Sequence, residues 1–318
     1  MTVTSPTRAP SSPARRAPAR SKPSLLDARR QRWGWLFVAP FLIVFVTFLV
    51  VPLCYAFWLS LHNKGLATGG KSLFVGLDNY TRAFTDPEFL HGLLRVAGFV
   101  LVMVPIQIGF ALLIALVLDT LTSKLSRASR LLIFMPYAVP AMIGALMWGF
   151  LYSPKFGPAQ DIFGLFGLTA PDFLSSNLVF ASLVNVVTWQ WVGYYMIIIY
   201  SALRAVDPAL YEAATLDGAS PWQTAWRIKI PMVVSSLVMI TIFSIIGTLQ
   251  FFTEPTILRG VAQGSISASY TPNMYAYALA FSYNQFNYAS AIAFALGVVV
   301  FIGSYVFLFA TRKQNGLK

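Results

Sequence analysis

The sequence predicts an all-α integral membrane protein with six transmembrane helices. Three observations carry this. First, 57% of the 318 residues are hydrophobic and only 11% charged, whereas a soluble domain carries about 25% charged residues. Second, apolar stretches free of Asp, Glu, Lys and Arg recur six times. Third, Lys and Arg gather in alternate connecting segments. A helix crosses the hydrocarbon with about 20 apolar residues, and few other structures satisfy the backbone there.

The elements follow in order. Residues 1–32 hold five prolines, many Ala and Ser, and the run Arg29, Arg30, Gln31, Arg32. Such a composition builds no core, so a disordered basic tail is expected, its end held at anionic headgroups. The apolar run that follows is too long for a cleaved signal peptide. The membrane domain is expected over 33–311, with spans near 33–60, 96–118, 131–152, 178–203, 232–253 and 289–310, and a tail over 312–318. Gly157, Pro158, Asp161 and Pro171 make Phe156–Ser176 a loop. Residues 260–288, rich in Gly, Ser, Asn and Tyr, are expected outside the membrane with a short interfacial helix. Seventeen of the 23 Lys and Arg lie in the N-terminal tail, 119–130, 204–231 and the C-terminus, while the acids divide five to six. The positive-inside rule therefore puts that face, with both termini, in the cytoplasm of a cell membrane.

Composition also excludes classes. The net charge of +12 belongs to a lipid-facing surface rather than a nucleic-acid site. A membrane enzyme needs clustered carboxylates or histidines, but the acids are scattered and both histidines lie in the 61–95 loop. An ion-coupled transporter needs ionisable residues in mid-span and a repeat, and the six stretches hold none. Cys54, in an apolar run, is expected to be a buried thiol without a disulfide partner. Gly65–Ser72 matches G-x4-G-K-S, but a span precedes it and no βαβ unit follows, so nucleotide binding is rejected. Asn79-Tyr80-Thr81 fits a glycosylation sequon, a weak three-residue pattern.

The informative loop is 207–231. Asp207 can cap a helix starting at Pro208, where a missing N–H costs nothing. That helix runs through Glu212, Ala213 and Ala214 and stops at Gly218, suited to a left-handed cap. Ser220, Pro221 and Gln223 start a second helix with a capping box, and Pro231 opens the fifth span. Ala213 and Ala214 leave room for another backbone. Trp222 and Trp226, four apart, make one aromatic face, which either packs under the bundle or meets a partner.

This loop resembles the signature of binding-protein-dependent ABC importer permeases: EAA, three residues, G, nine residues, I, one residue, LP. Glu212, Ala213, Ala214, Gly218, Ile228 and Pro231 match in register, and Ile230 replaces the usual Leu. Phe74–Phe84, Pro136–Pro140 and Trp191–Tyr194 are similar to the carbohydrate branch, the maltose-permease-like inner-membrane subunits. The resemblance covers about 33–311. It implies a type I permease fold whose short loop helices are coupling helices seated on a cytoplasmic ATPase. It implies no cofactor in this chain, with ATP and Mg on two partner ABC ATPase subunits. A second permease subunit and an extracytoplasmic sugar-binding protein are the other implied partners, with no nucleic acid. The Glu212 carboxylate would pair with a basic group of the ATPase.

Polar side chains within the spans include Gln107, Asn185, Thr188, Gln190, Thr241, Ser244, Thr248 and Gln250. They either bond between helices or line a path for cargo. Asn185, Thr188, Trp189, Gln190, Trp191, Tyr194 and Tyr195 fall within eleven residues of the fourth span, a set suited to stacking on a sugar and bonding its hydroxyls. By resemblance, sugar contacts fall on Tyr137, Ala141, Trp189, Gly193, Met196, Thr248 and Phe251; only Tyr137 and Gly193 keep the residue associated with maltose. A neutral sugar or oligosaccharide is the expected cargo. Glycerol phosphate is the alternative within the family, but phosphate calls for Arg or Lys in the path, and the spans hold neither. Ala289, Ala293 and Gly297, at four-residue spacing, suit close helix contact, internal or with a partner permease. Five tyrosines, Tyr270, Tyr275, Tyr277, Tyr283 and Tyr288, read as an interfacial anchor or a contact for the binding protein. Glu254-Pro255 reads as a helix stop.

Overall fold

A computed structural model describes residues 25–64, 70–120 and 123–311. The expected tails over 1–24 and 312–318 and most of the Gly65–Ser72 motif lie outside these, whereas residues 25–32, expected to be disordered, are helical. The chain divides into two compact units, 1–54 and 55–318. In the first, helix α1 (Leu25–Phe45) runs into a π-helical turn, Val46–Val50. Cys54 lies in α2 (Val51–Ser60) and is exposed, not buried. An apolar run in a membrane span meets lipid, so hydrophobicity there does not signal a protein interior.

In the second unit, a two-residue hairpin, β1 (His62–Asn63) with β2 (Leu73–Phe74), leads to α3 (Asp78–Ala83). Strand β2, not a helix, follows Lys71-Ser72, as expected for a chance match to the phosphate loop. The Asn79 side chain is buried and its amide donates to the carbonyls of Ser60 and His62 at 2.9 and 3.0 Å. The sequon is thereby occupied by structure. Helix α4 (Pro87–Thr120) is long enough, at about 1.5 Å per residue, to overrun the hydrocarbon at both ends.

The third apolar stretch is not one straight span. It forms α5 (Ser123–Ala138) and α6 (Ala141–Leu151), bent by 95°. Pro140 removes a backbone donor and its ring disfavours helical geometry at Val139. The loop that follows contains a short helix, α7 (Ala159–Gly164). Helix α8 (Val179–Arg204) packs along α4, and the pair forms the centre of the unit. One core cluster joins Phe99 and Met103 of α4 to Leu183 and Val187 of α8, and a second joins Ala111 and Ala115 to Met196 and Ile199.

After α8 come α9 (Pro208–Leu216), α10 (Pro221–Thr224), a π turn over Ala225–Lys229, α11 (Ile230–Met232) and α12 (Val234–Leu249). Span five does not end at Glu254-Pro255: α12 stops at Leu249, and α13 (Thr253–Leu258) starts just before Glu254. Pro255 explains the break. A proline lacks the N–H that would bond the carbonyl four residues earlier and clashes with it. That carbonyl, on Phe251, accepts from the Thr271 hydroxyl at 2.9 Å instead.

The 260–288 segment folds back onto the bundle through α14 (Pro272–Tyr277) and a π turn, Ala278–Ser282. Tyr270 and Met274 enter the core, and Pro272 rests against Gly92 of α4. The Arg95 guanidinium donates to the Tyr270 carbonyl at 2.7 Å and sits over its ring. Asp86 accepts from the hydroxyls of Tyr275 and Tyr288, each at 2.7 Å. The last helix, α15 (Phe286–Thr311), buries Ala291, Ile292, Ala295 and Leu296. Of the small-residue stripe only Ala289 turns inward, while Ala293 and Gly297 are exposed. Internal packing therefore does not explain that spacing.

Candidate functional site

Two places carry chemistry: the loop 207–231 and a cavity among the spans. The loop is built from local signals. Asp207 accepts from the Ala209 N–H at 2.9 Å, and Pro208 occupies the first turn of α9. At its end Gly218 has φ +78°. The Ala219 N–H reaches the Ala214 carbonyl at 2.9 Å and the Gly218 N–H reaches that of Thr215 at 3.1 Å, a complete Schellman cap. Ser220 and Gln223 then bond reciprocally, at 2.8 and 3.3 Å, to start α10. Two short helices meet at a fixed corner.

Glu212, Ala213, Gly218 and Pro231 are exposed on this element, Ile228 is half-buried, and Ala214 packs inward. Trp222 and Trp226 stand edge to face, 5.6 Å apart, at 71% and 55% exposure. They do not pack under the bundle. Behind the loop lies a cleft of about 480 Å³. In it Asp119, from the end of α4, pairs with Lys229 at 2.5 Å and Arg204 at 3.8 Å. Lys229 also lies over the Tyr211 ring, 5.1 Å from its centre. Burial raises the Tyr211 hydroxyl above its ordinary pKa, the Asp119 charge adds to this, and Arg204 partly offsets it. The loop is thus tied to α4 and α8 by charge.

The cavity, about 450 Å³, opens between α4, α5, α8 and the broken α12–α13 helix. Tyr137, Trp191 and Tyr194 form an aromatic wall, with Tyr137 stacked on Tyr194 at 4.6 Å and edge-on to Trp191 at 5.3 Å. Gln107, Ser244, Thr248, Gln250 and Glu254 supply the polar wall. Ser244 donates to the Gln107 side chain at 2.8 Å and Thr248 donates back to the Ser244 carbonyl. No Lys or Arg is among the described lining residues.

Of the residues expected from the sequence, Tyr137, Thr248, Gln250 and Phe251 line this cavity, as do Gln107, Ser244, Trp191, Tyr194 and Tyr195. The others do not. Asn185 donates to the Tyr152 hydroxyl at 2.7 Å, and Gln190 donates to the Val139 carbonyl at 3.0 Å, bracing the bend. Trp189 stands edge-on to Trp148 at 5.8 Å, Met196 is fully buried, and Ala141 starts α6. Gly193 lies under the Ile133 carbonyl, where a Cβ would come within 2.1 Å of the oxygen. Helix geometry explains the pattern: residues 189, 193 and 196 share one face of α8, and 187, 191 and 194 share the opposite face, which lines the cavity. The sequence reading missed Glu254. A single acid beside a proline inside an apolar stretch is the signal that marks it.

The comparisons agree with this architecture. Residues 107–314 match the family described as binding-protein-dependent transport system inner membrane component. The lactose transport system permease protein LacF of Rhizobium radiobacter is 30% identical over 291 residues, covering 89% of this chain and 95% of the relative. The sn-glycerol-3-phosphate transport system permease protein UgpA of Pectobacterium atrosepticum is 29% identical over 292 residues, covering 90% and 97%. In fold, the chain is similar to a chain of a bacterial ABC transporter involved in import of the acidic polysaccharide alginate. The TM-score is 0.79 at 20% identity, over 91% of this chain and 98% of that one. A family match spanning most of the chain, and containing both the capped loop and the cavity helices, has one meaning: this protein belongs to the inner membrane components of binding-protein-dependent transport systems, the non-catalytic permeases of ABC importers.

Proposed function

We propose that this chain carries a neutral sugar or oligosaccharide inward by alternating access. One observation supports that cargo: a cavity that pairs aromatic faces with hydrogen-bonding side chains and has no cation among its described lining residues. Its size lies within the roughly 300–1,000 Å³ of small-molecule sites. Rings stack on the apolar faces of sugars while amides and hydroxyls match their hydroxyl groups. A glycerol phosphate, the cargo named for one relative, would need Arg or Lys to match its charge.

In this reading the 207–231 loop faces the cytoplasm, with both termini. The exposed Glu212, the Gly218 corner and the Trp222–Trp226 face seat on ABC ATPase subunits, which bind ATP and Mg. Ala213, Ala214, Ile228 and Pro231 shape the same surface. A second permease completes the path, and an extracytoplasmic binding protein delivers the cargo; one solved relative of similar fold is in complex with a periplasmic protein. Closure of the ATPases pushes α9 and α10, and the Asp119–Lys229 tie passes the motion to α4.

The test is the full transporter in liposomes. Lactose, trehalose or maltose should accumulate with ATP and the binding protein, and glycerol 3-phosphate should not. Import of glycerol 3-phosphate without any sugar overturns the cargo reading. Sugar accumulation by this chain without ATPase subunits overturns the coupling.

A further inference from the structure

Glu254 is a carboxylate at 7% exposure on the cavity wall, in a cavity without Lys or Arg among its described lining residues. Among the described residues its carboxylate meets no ion pair. A carboxylate withdrawn from water without a partner costs several kcal/mol. Acids inside membrane spans therefore sit where a pathway needs them. The backbone that carries Glu254 is set for the purpose: Pro255 breaks the helix, and the Thr271 hydroxyl holds the freed Phe251 carbonyl. Gln250, Phe251 and Thr253 of the same break also face the cavity.

We propose that Glu254 is a direct cargo ligand, its two oxygens accepting hydrogen bonds from two hydroxyls of a neutral sugar, and that its charge turns anionic solutes away. This rests on the sugar reading above and deepens it. The missing partner comes from the cargo. Hydrogen bonds to an ionised acceptor are short and about twice as strong as neutral ones, so a pair of donors offsets the cost of burial. A phosphate or uronate brings like charge into a site of low dielectric, where the repulsion is large.

The test uses the assembled transporter in liposomes, with its ATPase, partner permease and binding protein. The probes are lactose, trehalose, maltose and, as the anion, glycerol 3-phosphate. At saturating binding protein, Glu254→Gln should cut uptake of the imported disaccharide roughly tenfold or more, from the loss of charged hydrogen bonds. Assembly of the transporter should be unchanged. Deoxy analogues supply a readout that a structural carboxylate would not move. Loss of one or two particular hydroxyls should cost the wild type about what the substitution costs, and cost Glu254→Gln nothing more. Unchanged uptake by Glu254→Gln, or equal losses with the analogues in both proteins, overturns the inference while leaving the sugar reading intact. If no neutral disaccharide enters through the wild type, the inference falls with the reading it rests on. Where Glu254→Gln fails to assemble, the wild type decides. Carbodiimide modification of Glu254 should be slowed by the imported disaccharide and not by glycerol 3-phosphate, and a rate indifferent to sugar overturns the proposal.

Discussion

Replacing Gly193 by alanine should drive α5 and α8 apart. The added Cβ would stand 2.1 Å from the Ile133 oxygen, 2.8 Å from its carbonyl carbon and 2.9 Å from the Phe134 Cα. A carbon rests against a carbonyl oxygen at about 3.3–3.6 Å, so the helices must separate by roughly 1 Å. The obstacle is backbone, which cannot swing aside as a side chain would. Overpacking a core costs about 1–3 kcal/mol and occasionally more, and this site belongs at the upper end. Movement of α5 also carries Tyr137 away from Trp191 and Tyr194. The assay is thermal unfolding of the purified protein in detergent, with Gly247→Ala as the control. Nothing lies within 4 Å of a Cβ at Gly247, and alanine in a helix is favoured by about 1 kcal/mol over glycine. Gly193→Ala should unfold well below the wild type and Gly247→Ala should not. Equal stability of Gly193→Ala and wild type would refute the close approach of the two helices. A stable Gly193→Ala with altered cargo preference would return Gly193 to the path.

Three further outcomes are expected. Asp119 and Lys229 expose only 6% and 14% of their side chains, so Asp119→Ala should cost about 3–5 kcal/mol by stranding the lysine; Arg204, 65% exposed, compensates little. Adding Lys229→Met should recover about 1–3 kcal/mol in a double-mutant cycle of denaturant unfolding, whereas strictly additive losses would dissolve the tie. Glu212→Lys, on an exposed surface, should leave stability within about 0.5 kcal/mol yet separate ATP hydrolysis from uptake in liposomes; normal uptake would remove Glu212 from the coupling surface. Burial pushes the Asp86 carboxyl up, but bonds from the Tyr288 and Tyr275 hydroxyls and the Glu88 and Phe89 N–H groups outweigh it and hold its pKa below the ordinary 3.8. Its folded value lies below its unfolded one, so its contribution is complete above pH 3.8 and fades as pH falls through the lower folded value. Asp86→Asn should flatten that acid arm of the unfolding curve and leave its shape near neutral pH unchanged.

What could be read directly from the chain was what depends on neighbours in sequence. Asp207, Gly218 and the Ser220–Gln223 box act within four residues, so residue type and spacing alone announce the corner. The apolar stretches were legible for the same reason. Direction was not: hydropathy counts residues without sensing that the chain turns by 95° at Val139–Pro140. The α8 positions transferred by resemblance, 189, 193 and 196, fall on the face opposite the cavity, because they carried no rotation angle for this helix, whereas Trp191, Tyr194 and Tyr195 of the fourth-span set do line it. Glu254 escaped because its meaning depends on Thr271, seventeen positions away, which holds the broken strand of helix open. Cys54 shows the converse error, in which an apolar neighbourhood was equated with an interior although the bilayer is itself the solvent.

The two interruptions, at Val139–Pro140 and at Gln250–Phe252, have a consequence for how such a protein diversifies. The long helices α4 and α8 carry one side of the cavity, while residues 250–254 of its wall sit at a break in the α12–α13 helix. Exchanging residues 250–254 between relatives should therefore transplant taste without rebuilding the frame. On that expectation a handful of codons, rather than a new bundle, would separate one diet from another.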